Sequence, residues 1–434
     1  MSLALYSLAT SAMQPFVRRK LKRRAVVEPL YGEFIEERFG RYPYFDKRSP
    51  NGAGAQIARP LIWVHAVSLG ETRAAAILLK EFRLAIPNMQ LLLTNGTATG
   101  RAEGAKLLLE GDIQVWQPWD TKAATTAFMS HFKPSIGILM ETELWPNLIH
   151  SANRANVPML LANARLSEKS FKKSQRWGIE NLARLSYQSL KAVYAQTTDD
   201  AKRLLAAGAK VDGVFGNLKF DITPNAEQLA QAAALRVTLV KPVILFASSR
   251  EGEEAAFLNA LQALPDVART SANWLIVPRH PQRFDEVAGL IETAGFAVLR
   301  RSANSDFDKL STSSAEHSVW LGDSLGEMAF YYGLSSAALL GGSFERLGGQ
   351  NLIEALACGC PVVMGPHTFN FEEAASLAAL SSVAFRVNGL TNAIQKARAL
   401  SAPDGFDKNA AYSFVAKHRG GAAKTAAAVQ KLLR

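Results

Sequence analysis

Two doubly wound α/β domains in series, behind a basic helical N-terminus, are what this sequence predicts. Three observations carry that expectation. The first is length: 434 residues, 48% hydrophobic and 20% charged, enough for two buried cores. The second is a repeated alternation of short apolar runs with helical patterns, the signature of parallel sheets. The third is a glycine-rich strand–turn–helix–strand passage from Leu339 to Pro366. There Gly341-Gly342 and Gly348-Gly349 let the backbone approach an anion, and the helix opening at Asn351 presents free N–H groups and a positive dipole end. Glu354, in its first turn, suits a ribose diol; an ordinary capping carboxylate gives the same pattern.

In chain order, Leu3–Val17 is a mostly apolar stretch. As a helix of about 15 residues it would reach roughly 22 Å, short of a ~30 Å hydrocarbon layer. Arg18 to Arg24 then holds six basic residues in seven, after the apolar run and not before it as in a secretory signal. Residues 1–48 are therefore expected to associate with a membrane, the basic cluster resting on anionic lipid at its cytoplasmic face. A core helix with a solvated basic end is the alternative. Ser49 to Gly54 reads as a turn-rich linker.

A first α/β domain is expected over 55–216, with strands at Ile62–Val67, Leu91–Thr94, Ile136–Met140 and Met159–Ala162 and helices such as Thr72–Leu84 and Lys122–His131. An interdomain linker follows at 217–241. A second domain covers 242–415, with strands at Val243–Ala247, Trp274–Val277, Ala337–Leu340 and Pro361–Met364 and helices at Glu253–Leu264 and Arg283–Ala294. A final helix occupies 416–434. Such sheets bind ligands at their strand carboxyl ends, in a cleft the two domains would face.

Polar residues collect at those ends. Glu71 follows a strand and a glycine, where a carboxylate can act as general base or simply as a first-turn helix charge. Met140-Glu141-Thr142-Glu143 delivers two acids after a buried strand. Lys219, in G-N-L-K-F-D, lies at the domain junction, placed for a phosphate or as a plain surface lysine. Pro278-Arg279 ends another strand with a guanidinium suited to phosphate. Leu325-Gly326-Glu327 forms one more glycine-bearing turn.

The net charge of +11 and pI near 9.6 favour an anionic partner. The densest basic run adjoins the apolar N-terminal stretch, and no aromatic-interleaved basic stripe is present, so no nucleic-acid partner is expected. Two cysteines one residue apart and seven scattered histidines suggest neither a disulfide nor a metal site.

Together W-V-H-A-V-S-L-G-E, M-E-T-E-L-W-P-N-L-I, A-N-A-R-L-S, G-N-L-K-F-D, V-P-R-H-P-x-R-F, G-D-S-L-G-E and G-G-Q-N-L-I-E-A resemble the 3-deoxy-D-manno-octulosonic acid (Kdo) transferases of lipopolysaccharide synthesis, over nearly the whole chain. The last block alone would indicate only the wider two-domain GT-B glycosyltransferase class. The resemblance implies CMP-Kdo as donor substrate, a lipid A precursor as acceptor, inversion at the anomeric centre, no metal and no cofactor, and work at the cytoplasmic face of the inner membrane. By position, Glu71 matches the catalytic base, and Glu141 and Lys219 match residues that stabilise the transition state. Pro278, Arg279, Leu325, Gly326, Glu327, Asn351, Leu352, Ile353 and Glu354 match the CMP contacts. Gln350 and Arg250 stand where the family more often has His. Two other readings remain open: a GT-B enzyme using another nucleotide sugar, and a membrane-tethered polyanion binder without activity.

Overall fold

The computed structural model describes residues 1–43, 59–175, 180–303 and 317–433; the expected linker Ser49–Gly54 lies outside them. The chain divides into two units, 1–221 with 418–434, and 222–417.

The first unit is built on a seven-stranded parallel sheet. Its strands are β1 (Leu61–His65), β2 (Gln90–Asn95), β3 (Ile113–Trp116), β4 (Ile136–Met140), β5 (Met159–Ala164), β6 (Ala192–Ala195) and β7 (Gly213–Val214), in the order β3-β2-β1-β4-β5-β6-β7. Side chains alternate between the faces of a strand, so one sheet supports two cores. Trp63, Leu92, Leu139 and Leu161 pack on one face; Ile62, Val64, Leu93, Ile138 and Met140 pack on the other. The order reverses between β1 and β4, which pair in parallel from Ile62↔Ile136 to His65↔Leu139.

The second unit repeats the plan with β8 (Val243–Ser249), β9 (Asn273–Pro278), β10 (Ala297–Arg300), β11 (Ser318–Leu321), β12 (Ala337–Leu340), β13 (Val362–Met364) and β14 (Ala384–Arg386). The order is β10-β11-β9-β8-β12-β13-β14, reversing between β8 and β12. In open parallel sheets such reversals leave a crevice at the strand carboxyl ends, where ligands bind.

The eight anticipated strands are all present, with ends shifted by a residue or two. Six more (β3, β6, β7, β10, β11 and β14) were not anticipated. They have two to four residues each, too few for an alternation to show.

The stretch 217–241 carries structure of its own: a 3-10 turn Leu218–Asp221, grouped with the first unit, and the helix Ala226–Arg236 in the second. The tail divides at His418. Its last helix, Gly421–Leu432, packs Ala422, Ala426 and Val429 into the first unit's core. Asp221 anchors that helix by accepting the Ala422 N–H at 2.7 Å.

The N-terminal stretch differs from a single helix over Leu3–Val17. It forms two helices, Leu3–Ala12 and Gln14–Val27, meeting at Met13. Pro15 has no N–H to donate and sits in the first turn of the second helix, where none is needed. The first helix is tied to the body. Tyr6 donates to Asp120 at 2.8 Å, Ser7 donates to Asn147 at 2.6 Å, and the Trp119 indole donates to the Thr10 carbonyl at 3.0 Å. Among the described residues no helix is long and apolar enough to cross a membrane.

Candidate active site

At the β1/β4 reversal the chain places three carboxylates. Beyond β1, Ser68 caps the helix Leu69–Ala85 and Glu71 closes a reciprocal capping box. Glu71 Oε2 accepts N–H groups from Val67 at 2.6 Å and Ser68 at 3.1 Å. Among the described residues Oε1 accepts no hydrogen bond. The residue is 8% exposed. Burial, and to a smaller extent the Glu141 charge, raise its pKa against the pull of those amides.

Glu141 follows β4 directly and is held at φ +55, a conformation uncommon for any residue but glycine. Its own N–H donates to the Ala162 carbonyl at 3.0 Å, and its carbonyl accepts the Arg165 N–H at 3.1 Å. Asn163, at φ +53 in a register shift between β5 and β6, donates its amide to Glu141 Oε1 at 3.5 Å. The same side chain accepts the Leu218 N–H at 3.1 Å. Asn163 thus joins Glu141 to the half-buried 3-10 turn that carries Lys219. Asn tolerates the left-handed region, which a side-chain amide at a strand end can exploit. The A-N-A-R-L-S block contained it, yet nothing in the spacing marked it as part of the site.

Glu143, two residues beyond Glu141, accepts the Trp145 indole N–H at 2.6 Å. Burial first, then the charge of Glu71, pushes it up to about 7. His65, at the end of β1, is fully buried. Its Nδ1 lies 2.7 Å from the Thr94 hydroxyl, and its Nε2 has no partner among the described residues. Burial lowers its pKa to about 3, so the ring is neutral near pH 7.

Glu143 supplies a stability test. At a pH below its ordinary value of 4.5, the group is protonated whether the chain is folded or not. Between there and about 7, the unfolded chain ionises it while the folded chain holds the proton, so stability falls as pH rises. Glu143→Gln keeps an acceptor for Trp145 and removes the penalty. The variant is expected to be more stable than wild type at about pH 8, on the order of 1–3 kcal/mol, and equal to it at about pH 4. Thermal unfolding across that range checks this; identical pH profiles would reject it.

The donor-side candidates lie in the second unit, at or beyond strand carboxyl ends. Pro278 ends β9, and the Arg279 N–H donates to the Ser249 carbonyl at 3.0 Å. Leu325 is exposed beyond β11, and Gly326 adopts φ +80. Burial opposes ionisation of Glu327, but hydrogen bonds from Arg301 and Ser324 outweigh it and lower its pKa. Asn351 caps the helix Leu352–Ala357, accepting the Ile353 N–H at 3.2 Å; Leu352, Ile353 and Glu354 form its first turn. The charges of Glu354 and Arg279 both act on the buried Tyr332.

Between these groups, Glu253 gathers the turn after β12. It accepts N–H groups from Gly342 at 2.7 Å, Arg250 at 3.0 Å and Phe344 at 3.3 Å. A Cβ on Gly342 would lie 3.2 Å from Gln350 Nε2 and 3.7 Å from Arg250 Cγ. The two departures from the family pattern are therefore neighbours. Glu71, Glu141 and Lys219 fall in one unit and the nucleotide candidates in the other, each set at its own sheet's strand ends.

Two parallel sheets of this kind, each reversing its order above a polar edge, define a GT-B fold. Solved structures share it: a glycosyltransferase from Rickettsia africae has a TM-score of 0.54 at 15% identity, covering 87% of this chain and 99% of that one. A UDP-GlcNAc 2-epimerase from Neisseria meningitidis has a TM-score of 0.54 at 17% identity, covering 86% and 99%. These likenesses speak to fold alone. The family model for 3-deoxy-D-manno-octulosonic-acid transferase (kdotransferase) matches residues 33–222. A 3-deoxy-D-manno-octulosonic acid transferase from Bordetella pertussis is 41% identical over the full length of both chains. Another, from Haemophilus influenzae, is 32% identical, covering 97% of this chain and 94% of that one. The chain belongs to the 3-deoxy-D-manno-octulosonic acid transferase family and is a glycosyltransferase.

Proposed function

We propose that this enzyme transfers Kdo from CMP-Kdo to the 6′-hydroxyl of a lipid A precursor, with inversion at the anomeric carbon and without a metal or cofactor. The observation that carries this reading is Glu71: one carboxylate oxygen fixed by two backbone amides, the other without a hydrogen bond among the described residues. A base needs that combination, a fixed direction and a free lone pair. Glu71 removes the proton as the acceptor oxygen attacks Kdo C2. The bond from C2 to the phosphate oxygen breaks, and CMP leaves with the electron pair. Glu141 and Lys219 stabilise the charge redistribution, and Arg279 meets the phosphate. Pro278, the Leu325–Glu327 turn and Asn351 to Glu354 hold the CMP, Glu354 accepting from the ribose.

The reading includes attachment to the cytoplasmic face of the inner membrane. Leu5, Leu8, Phe16, Val26 and Val27 are 56–84% exposed on the two N-terminal helices, and Arg19, Lys22 and Arg23 are exposed beside them. An apolar surface flanked by cations suits an anionic interface.

The test is a product assay. Purified protein is given a tetraacylated lipid A precursor and freshly made CMP-Kdo, and the lipid is weighed by mass spectrometry. A donor-dependent gain of one or more Kdo units is expected. Folded, lipid-competent protein giving no product would reject the donor–acceptor pair.

A further inference from the structure

A cavity of about 330 Å³ lies in the first unit, between the N-terminal helices and the loop beyond β1. Phe16, Leu21 and Trp119 give it apolar walls, and Lys20, Arg24 and Arg38 give it three cations. It also touches Val67, whose N–H holds Glu71, and Trp145, whose indole holds Glu143. The cavity therefore adjoins the proposed base.

Nearby Arg18 pairs with Glu36, and Arg101 pairs with Glu37 at 2.9 Å. Lys20, Arg24 and Arg38 make no ion pair among the described residues. Arg38 is only 8% exposed, and among the described residues its buried Nε has no partner. Its Nη2 donates to the Gly96 carbonyl at 2.9 Å, and it stacks 4.0 Å over the Trp116 ring. Arg24 donates to the Tyr31 hydroxyl at 3.2 Å. Burial lowers the Arg38 pKa to about 10, and the carboxylate that acts on it, Glu37, is already paired with Arg101, so two buried guanidiniums share one negative charge. A phosphate supplies the missing charge, and Arg binds phosphate through several N–H groups at once.

We infer that this cavity seats a phosphate monoester of the acylated acceptor, with Arg38 at its back, Lys20 and Arg24 at its rim, and the acceptor's apolar part against Phe16, Leu21 and Trp119. The assignment rests on the lipid-acceptor reading above and adds the device that registers the acceptor against Glu71. Arg38 is a positioning residue: it binds the phosphate, not the reacting hydroxyl.

The test uses decyl phosphate and decanol as probes, read by tryptophan fluorescence, since Trp119 and Trp145 line the cavity. Wild type is expected to bind decyl phosphate at least about tenfold more tightly than decanol. Arg38→Gln is expected to erase that preference while leaving decanol binding unchanged. Lys20→Gln, at an exposed position that does not threaten folding, is expected to weaken decyl phosphate alone, several-fold. In turnover, removing the acceptor's phosphates raises KM in wild type and not in Arg38→Gln. Equal binding of the two probes by wild type, or an unchanged preference in both variants, would overturn the inference. So would displacement of decyl phosphate by phosphatidylglycerol vesicles as readily as by acceptor, which would assign the site to membrane lipid. The probe titration needs no turnover, so failure of Kdo transfer in wild type would count against the proposed function and not against the cavity.

Discussion

Glu71→Gln is expected to lower kcat for Kdo transfer by about 10²–10⁴-fold, the range over which a positioned general base contributes. The substitution isolates chemistry from folding. Glu71 has two tasks, since Oε2 closes the capping box and Oε1 is the proposed proton acceptor. A Gln oxygen can still accept the Val67 and Ser68 N–H groups, so the helix start survives. Glu71→Ala loses both, and losing a cap costs about 1 kcal/mol more. The pH dependence follows from the same environment. Burial holds the Glu71 pKa above the ordinary carboxylate range, and a base must be ionised. Activity should therefore fall on acidification through a value above the usual one, and the residual rate of Glu71→Gln should lack that limb. CMP-Kdo affinity should be unchanged, because the nucleotide candidates lie in the other unit. Full turnover in a folded Glu71→Gln protein with normal donor binding would remove Glu71 from the mechanism.

How far the sequence revealed this site depended on where each residue's constraint came from. Glu71, Glu141, Pro278 and Asn351 sit at the ends of long, fully buried strands or the helices that follow. An apolar run ending in a polar residue is readable without coordinates. The edge strands were not readable: Gly213–Val214 and Ala384–Arg386 are too short to display a period. Asn163 was hidden for another reason. Its importance comes from a left-handed backbone inside a strand and from a partner 55 residues on, Leu218, and neither has a local signature. Arg38 directly follows two glutamates in the sequence, and only folding shows that Glu37 pairs with Arg101 while the Arg38 Nε is left buried without a partner among the described residues. The Leu3–Val17 stretch shows the converse. Its apolar composition was plain, but Pro15 set a break that a single helix had not allowed for, and Tyr6 and Ser7 turned part of its surface toward Asp120 and Asn147.

Gly341→Ala is the second large effect. It is expected to destabilise the second unit by about 3 kcal/mol, the upper end of ordinary overpacking, and to weaken CMP binding at least about tenfold. Gly341 directly follows β12, where that strand closes on β8. Its N–H donates to the Ala247 carbonyl at 2.8 Å, and a Cβ would fall 2.2 Å from the Ser248 carbonyl oxygen and 2.7 Å from the Ser249 Cα. Both obstacles are backbone, so no rotamer change relieves them. Ser248 is already at φ +53 in a register shift, leaving it little room to yield. The strands must therefore part, and what depends on their closeness is the turn assembled by Glu253: the Gly342, Arg250 and Phe344 N–H groups converge on one carboxylate. Beyond that turn come Gln350 and the Asn351–Glu354 helix start. Gly389→Ala provides the contrast. Gly389 has φ +76 and ψ 160 but nothing within 4 Å of a Cβ, so backbone strain alone applies, about 1–3 kcal/mol, and CMP binding should be unaffected. Thermal unfolding and calorimetric CMP titration of both variants decide the matter. If Gly341→Ala behaves like Gly389→Ala in both, close strand approach at Gly341 is not what shapes the nucleotide site.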